Sequence, residues 1–142
     1  MHFSISPLAA SALLALMSGV KAAYTLKDDY SGTNFSSMFD FFTDADPTHG
    51  YVDYVAQSAA QSAGLINTNN NQAYIGVDTK NVASGRGRQS VRLTSKATYN
   101  TGLIILDLEH MPGSICGSWP AFWTVGPDWP NNGKEFRPLC MP

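Results

Sequence analysis

Short apolar runs, each closed by a turn rich in glycine or asparagine, are the feature that most limits how this sequence folds. Four runs have the character of strands, and they cover residues 51–55, 73–78, 89–94 and 102–109. The turns between them are predicted at residues 67–71, 85–87 and 111–113. One short helix is predicted at 56–63. Short strands with glycine turns at this spacing predict an all-β sandwich or barrel.

The charge balance excludes two classes of protein. The chain has 142 residues, a formal net charge of −2, and 14% charged residues. A nucleic-acid binder needs a basic surface for its phosphate contacts, so we expect no nucleic-acid partner. With 44% hydrophobic residues the chain also does not have the composition of a disordered tail.

Charge is nevertheless segregated along the chain. Residues 28–53 carry six aspartates and no Lys or Arg, whereas residues 80–96 carry five basic side chains and no acid. Two interpretations are open. The two segments neutralise each other across neighbouring strands, or the basic segment forms a ligand patch. We favour neutralisation because the basic side chains fall on both faces of their strands.

The N-terminus has the pattern of a secretion signal. Residues 7–20 form an apolar run of the length of a signal-peptide core, and small or aliphatic residues follow at Val20 and Ala22. A membrane anchor needs ~20 apolar residues, and Lys21 ends this run too early. We therefore expect residues 1–22 to be a signal peptide, the protein to be extracellular, and no segment to span a membrane.

Two sites of covalent modification follow if the chain is secreted. Cys116 and Cys140 are the two cysteines, and an oxidising compartment would allow them to pair. The partner of Cys116 stays open, because Cys140 lies in a tail of different character. Asn34 begins the sequence Asn-Phe-Ser, which is a glycosylation acceptor. Its hydrophobic neighbours predict burial instead.

All three tryptophans lie within residues 117–133. If 119–125 is a strand, Trp119 and Trp123 share one face, because side chains alternate along a strand. Two aromatic rings on one face are either part of a core or a platform for a sugar ring. Trp129 lies in a predicted loop, where ligand contact explains a tryptophan better than a core does. The candidate substrate-binding residues are therefore Trp119, Trp123 and Trp129.

The stretch Gly-Ser-Trp-Pro-Ala-Phe-Trp-Thr-Val-Gly-Pro-Asp-Trp-Pro at 117–130 resembles the approach to the active site of glycoside hydrolase family 16. It is most similar to the secreted fungal endo-1,3(4)-β-glucanases, or laminarinase-like enzymes. Further pieces agree, at residues 30–35, 50–54, 88–92 and 102–113. The resemblance covers about Tyr24 to Gly133 and implies the N-terminal half of a concanavalin-like β-jelly-roll sandwich, with the second half missing. It also implies a β-glucan partner and hydrolysis of β-1,3 or mixed β-1,3/1,4 glucans with retention of configuration.

The catalytic residues that this family needs are not found in the sequence. Retaining glycosidases place two carboxyl groups ~5–5.5 Å apart, and this family takes them from Glu-x-Asp-x-x-Glu directly after the Asn-Asn-Gly turn. If Glu135 is aligned with the nucleophile, Arg137 takes the position of the Asp and Cys140 that of the acid/base. Pro138 would also interrupt a central strand. No catalytic residue is assigned, and we expect the chain as written to be inactive.

The resulting domain plan has three parts: a signal peptide (1–22), the glycosidase-like segment (23–133) and an aberrant tail (134–142). We hypothesise that the tail is unspliced intron or a frameshift. Because a jelly roll interleaves strands from both halves of the chain, we expect the isolated product to be unstable or to aggregate.

The remaining polar residues have ordinary explanations. Glu109 is expected in a scaffold strand, His49 in a turn, and His110 at a hydrogen-bonding strand end rather than as a catalytic base. We expect no metal, no cofactor and a monomer. Two other functions stay open. One is a secreted, non-catalytic glucan-binding protein that uses the three tryptophans, and the other is a small secreted interaction protein closed by Cys116–Cys140.

Overall fold

A computed structural model describes residues 24–113 and 115–126. The expected signal peptide, Trp129, Glu135, Cys140 and the tail lie outside the described residues. The elements, in chain order, are a 3₁₀-helix (Gly32–Met38), β1 (Phe39–Phe41), β2 (Val52–Tyr54), α1 (Gln57–Ser62), β3 (Ile66–Asn69), β4 (Gln72–Ile75), β5 (Arg88–Ser90) and β6 (Leu93–Ser95). The described residues form two units, with the boundary between Gly102 and Leu103. No helix in the described part is long and apolar enough to cross a membrane.

The six strands form three two-stranded ladders. β1 pairs with β6 and β3 pairs with β4, both antiparallel, whereas β2 and β5 run parallel. The predicted strand at 51–55 is therefore confirmed as β2. The prediction of a single strand at 89–94 is wrong, because β5 and β6 pair with different strands. The chain changes partner at Val91 and Arg92.

The β3–β4 hairpin shows why asparagine is frequent here. Asn70 and Asn71 have φ angles of 48° and 64°. A two-residue hairpin turn of the type I′ class needs positive φ at both positions, and asparagine tolerates it best after glycine. The turn predicted at 67–71 is therefore confirmed only at its end, since Asn67–Asn69 belong to β3. β4 likewise ends at Ile75, earlier than the predicted 73–78.

Helix α1 confirms the helix predicted at 56–63, and its C-terminus is closed by a Schellman motif. The Leu65 amide donates to the Ala60 carbonyl at 2.8 Å and the Gly64 amide to the Gln61 carbonyl at 3.1 Å. Gly64 has φ +70°, the left-handed conformation that this motif requires. The motif turns the chain so that Leu65 is buried at the start of the hairpin.

A small apolar core lies in the first unit. Its buried members are Phe35, Val55, Ala60, Leu65 and Ile66. The 3₁₀-helix contributes Phe35, whose ring centroid lies 4.8 Å from that of Phe39, and β1 and β6 pack against the same core. The sequence did not predict this 3₁₀-helix. Its start has one local signal, an Asx turn in which the Ser31 amide donates to the Asp29 carboxylate at 2.9 Å.

The most apolar of the predicted strands is not a strand. Residues 103–108 lie in the second unit without a ladder partner among the described residues. Their apolar side chains are exposed, and Ile105 is 80% accessible. The strand prediction for 102–109 is therefore wrong in this structure. An apolar pattern favours an extended chain, but a strand exists only where a second strand supplies the other half of its hydrogen bonds.

Candidate functional site

Residues 119–125 form no strand in the structure, so the strand considered there is absent. Trp119 is 54% exposed and Trp123 is half-buried. Phe122 and Val125 are also exposed. A core role for Trp119 is excluded by this exposure within the described residues. The prediction that Trp119 and Trp123 share a strand face has no ladder to support it.

A tight turn precedes these tryptophans. The Ser118 amide donates to the Ile115 carbonyl at 3.1 Å, and Gly117 has φ +82°. Positive φ at the third residue is the mark of a type II turn, which explains the glycine. Cys116 occupies the second position of the turn, exposed and with its thiol free. The other cysteine lies outside the described residues, so the pairing of Cys116 remains a prediction.

In the first unit the segregated charges meet. Arg92 Nη1 lies 3.8 Å from Asp46 Oδ1, and Arg86 Nε lies 3.4 Å from Asp53 Oδ1. Arg86 also donates to the carbonyls of Thr43 and Asp44, at 3.0 and 2.6 Å. The acidic and basic segments therefore neutralise each other, as predicted, and the structure gives no support to a separate basic ligand patch.

Asp46 is the centre of the loop that follows β1. Its carboxylate accepts hydrogen bonds from Thr48 Oγ1 at 2.5 Å and from the Gly50 amide at 2.9 Å. Burial of Asp46 opposes ionisation, but these hydrogen bonds and the charge of Arg92 outweigh it, so the pKa of Asp46 is lowered. The His49 amide donates to the Asp46 carbonyl at 2.9 Å. His49 closes this turn, which confirms the turn predicted for it.

Two aromatic rings lie close to the Arg92 guanidinium. Its central carbon lies 4.5 Å from the Phe42 ring centroid and 5.9 Å from that of Tyr54. The two rings contact each other edge to face, with centroids 5.7 Å apart. Burial, followed by the nearby Asp46 carboxylate, raises the pKa of Tyr54. The sequence predicted the charge pairing but not these aromatic contacts, because Phe42 and Tyr54 are distant from Arg92 in the chain.

The remaining predicted residues are exposed. Asn34 is exposed, so the burial expected from its hydrophobic neighbours is wrong. Only the next residue, Phe35, points into the core. Glu109 and His110 are exposed and lie outside any strand, which contradicts the scaffold strand and the strand end predicted for them. No group of three or more His, Cys, Asp or Glu side chains within the described residues is placed to hold a metal ion.

Comparison with known proteins gives one consistent family. Residues 39–135 match the XgeA-like, catalytic GH16 domain. The chain is 53% identical over 113 residues to an endo-1,3(4)-β-glucanase of Arthroderma benhamiae, covering 80% of this chain and 25% of that protein. It is 50% identical over 136 residues to the endo-1,3(4)-β-glucanase xgeA of Emericella nidulans, covering 92% and 21%. The chain thus spans about a quarter or less of the length of these curated relatives.

Solved structures agree with the sequence relatives. An elongating GH family 16 β-1,3-glucosyltransferase superposes with a TM-score of 0.73 at 51% identity, covering 77% of this chain and 38% of that one. GH16 laminarinase 16A from Phanerochaete chrysosporium superposes with a TM-score of 0.67 at 41% identity, covering 75% and 36%. The predicted all-β, jelly-roll fold class is thereby confirmed. The chain belongs to glycoside hydrolase family 16, with the XgeA-like catalytic domains, as its tryptophan-rich stretch indicated.

Proposed function

We propose that this chain is part of a secreted endo-1,3(4)-β-glucanase, and that its 142 residues bind β-glucan without hydrolysing it. The proposed activity is that of the endo-1,3(4)-β-glucanases to which the chain is 50–53% identical. The observation that carries the binding role is the exposure of Trp119, whose indole is 54% accessible. An exposed indole offers a flat apolar face, on which the C–H face of a glucose ring packs.

The three tryptophans are proposed to contact the glucan together. Trp119 and Trp123 lie four residues apart in the sequence, and Trp129 is expected in the loop that follows. A polymer of repeated sugars gains from several such faces, because each ring contact adds to the others. Truncating one indole should therefore weaken binding, and truncating two should weaken it further.

The absence of hydrolysis follows from the carboxyl groups. Retention of configuration needs a nucleophile and an acid/base ~5–5.5 Å apart. The whole sequence contains two glutamates, Glu109 and Glu135, and no Glu-x-Asp-x-x-Glu. Arg137 and Cys140 stand where that motif would require carboxylates. A bound glucan would therefore meet no carboxyl pair of the family's kind from this chain.

Secretion belongs to the same proposal. We propose that residues 1–22 direct export and are removed, and that Asn34 carries a glycan in the exported protein. The exposure of Asn34 supports this, because an acceptor must be reached by the modifying enzyme. The free, exposed thiol of Cys116 is proposed to take a disulfide partner, with Cys140 as the candidate within this sequence.

Gel retardation tests glucan binding. The monomeric fraction of the chain is run in native gels with and without laminarin, beside Trp119→Ala, Trp123→Ala and the double variant. The wild type should be retarded, each single variant less so, and the double variant least of all. Tyr24→Ala is the matched control, because Tyr24 is 76% exposed and belongs to the other unit. Equal retardation of the wild type and the double variant would contradict the proposal.

A further inference from the structure

A polar groove lies in the first unit, separate in sequence from the tryptophan-rich stretch. It is formed where the 3₁₀-helix, the end of α1 and the β3–β4 hairpin meet, and its volume is about 540 Å³. Cavities of ~300–1,000 Å³ are the usual size of small-molecule sites. The lining residues are Ser36, Gln61, Gly64, Ile66, Asn67, Thr68 and Tyr74.

The lining is polar but carries no charge. Five of its side chains bear hydroxyl or amide groups, and none is acidic or basic. Within the described part of the chain, none of these five side chains makes a hydrogen bond. This distinguishes the groove from the charged centre around Asp46, where the carboxylate has protein partners. The groove therefore offers donors and acceptors that the protein itself leaves available.

Tyr74 supplies an aromatic surface beside these groups. It is 56% exposed and lies directly across the ladder from Asn67. Its ring lies over Gly76, just after the end of β4, where any Cβ would overlap the Tyr74 hydroxyl. The same ring also lines a second, smaller cavity of about 120 Å³ near Asp78. Gly76 thus permits the ring position, and one flat apolar face stands next to several uncharged hydrogen-bonding groups.

This combination selects among ligand classes. A phosphate, nucleotide or acidic polymer is bound most strongly by cationic side chains, and the groove lining has none. A purely apolar ligand would bury the amide and hydroxyl groups of the lining without hydrogen-bond partners. A neutral sugar presents hydroxyls around its edge and C–H bonds on its face, and so meets both parts of the lining. Amides and hydroxyls can each donate and accept, as the sugar hydroxyls do.

We propose that this groove is a second carbohydrate-binding site, in which Tyr74 packs against a glucose ring and Gln61 and Asn67 bind its hydroxyls. The identity of the sugar as a β-glucan rests on the proposed function, whereas its neutral polyhydroxyl class rests on the groove alone. A second site on another unit would let one long glucan chain contact the protein at two places, which raises avidity for polymer over short oligosaccharide.

Side-chain amide signals in NMR spectra test the groove directly. The full ¹⁵N-labelled chain, as its monomeric fraction, is titrated with laminarihexaose and separately with an anionic hyaluronan oligosaccharide. The amide NH₂ signals of Gln61 and Asn67 should shift with the neutral sugar and not with the anionic one. Tyr74→Ala should lower affinity at these reporters by ~10-fold or more, equivalent to about 1.4 kcal/mol. Tyr24→Ala should leave it unchanged.

Gly76→Ala supplies a second variant, because it keeps Tyr74 but displaces its ring. It should reproduce the loss seen with Tyr74→Ala, while the backbone signals of Ala60 and Leu65 report that the fold persists. The Trp119→Ala, Trp123→Ala double variant should retain the shifts at Gln61 and Asn67. That result would support sugar binding in the groove even if the tryptophans bound no glucan. Absence of shifts in the wild type, or full affinity in both groove variants, would overturn the second site and leave the proposed function standing.

Discussion

Arg92 and Asp46 form an ion pair that is largely removed from solvent. Their closest charged atoms lie 3.8 Å apart, and the side chains are 18% and 4% exposed. The pair joins the loop after β1 to the point where the chain passes from β5 to β6. Phe42 covers the guanidinium from the loop side. One contact therefore ties the acidic segment of the sequence to its basic segment.

Replacing Arg92 by Met should destabilise the first unit. The substitution leaves the buried carboxylate of Asp46 without its cation, a change that costs ~3–5 kcal/mol in other proteins. Urea unfolding of the wild type and the variant measures the change in the free energy of unfolding. Arg86→Met is the matched control, because its partner is Asp53 and its own side chain is 49% exposed, so the loss should be about 1 kcal/mol. Equal losses in the two variants would contradict the account.

Acid should weaken the same region. The pKa of Asp46 in the folded chain is below its ordinary value of 3.8. The folded state therefore releases this proton more readily than the unfolded state. The resulting stability is present above the unfolded pKa of about 3.8 and is lost as the pH falls through the lower pKa of the folded chain. Asp46→Asn should be less stable than the wild type at neutral pH and should lose less stability on acidification. Parallel pH profiles of the two proteins would count against this.

Gly87→Ala should disrupt the parallel β2–β5 ladder. Gly87 has φ +133°, and a Cβ there would overlap the backbone of Tyr51 and Val52. The strands would have to separate, so we expect a loss of at least ~2 kcal/mol in urea unfolding. Gly85→Ala tests conformation alone, because Gly85 also has positive φ but nothing lies within 4 Å of a Cβ there. That control should cost about 1 kcal/mol. A loss no greater at Gly87 than at Gly85 would refute the steric argument.

The exposed apolar run at 103–108 should cause self-association. Leu103, Ile104, Ile105, Leu106 and Leu108 are all exposed, and the run contains no Pro or Gly. Such segments pair readily with copies of themselves. Ile105→Lys should shift the chain toward monomer in analytical ultracentrifugation. Val82→Lys is the control, because Val82 is 93% exposed but has only the small Ala83 as an apolar neighbour in the sequence. A wild type that stays monomeric at high concentration would argue against this prediction.

Local patterns predicted the local structure well. The alanine-rich run at 56–63 gives α1, which Gly64 ends, and the neighbouring asparagines give the β3–β4 turn. The charge segregation also predicted contacts, because opposite charges in a small fold have few other partners. In each case the prediction depends only on a few neighbouring residues or on the sign of a charge.

Ladder partners could not be predicted in the same way. Residues 89–94 read as one strand, yet Ser90 and Leu93 belong to ladders with different neighbours. The apolar run at 102–109 has the strongest strand pattern and no ladder among the described residues. Period-two alternation reports which face of a chain is apolar, not which other segment lies beside it. The aromatic contacts of Arg92 were missed for the same reason.

The central claim is that these residues are the glucan-contacting part of a GH16 glucanase, without its catalytic carboxylates. The most direct measurement joins residues 23–133 to the part of the Emericella nidulans relative that follows its matched segment, and it measures reducing-sugar release from laminarin. The 142-residue chain alone should release none. The chimera should release sugar, and Trp119→Ala within it should reduce the rate by ~10-fold or more. Sugar release by the chain alone, or a chimera that melts cooperatively but is inactive, would contradict the account.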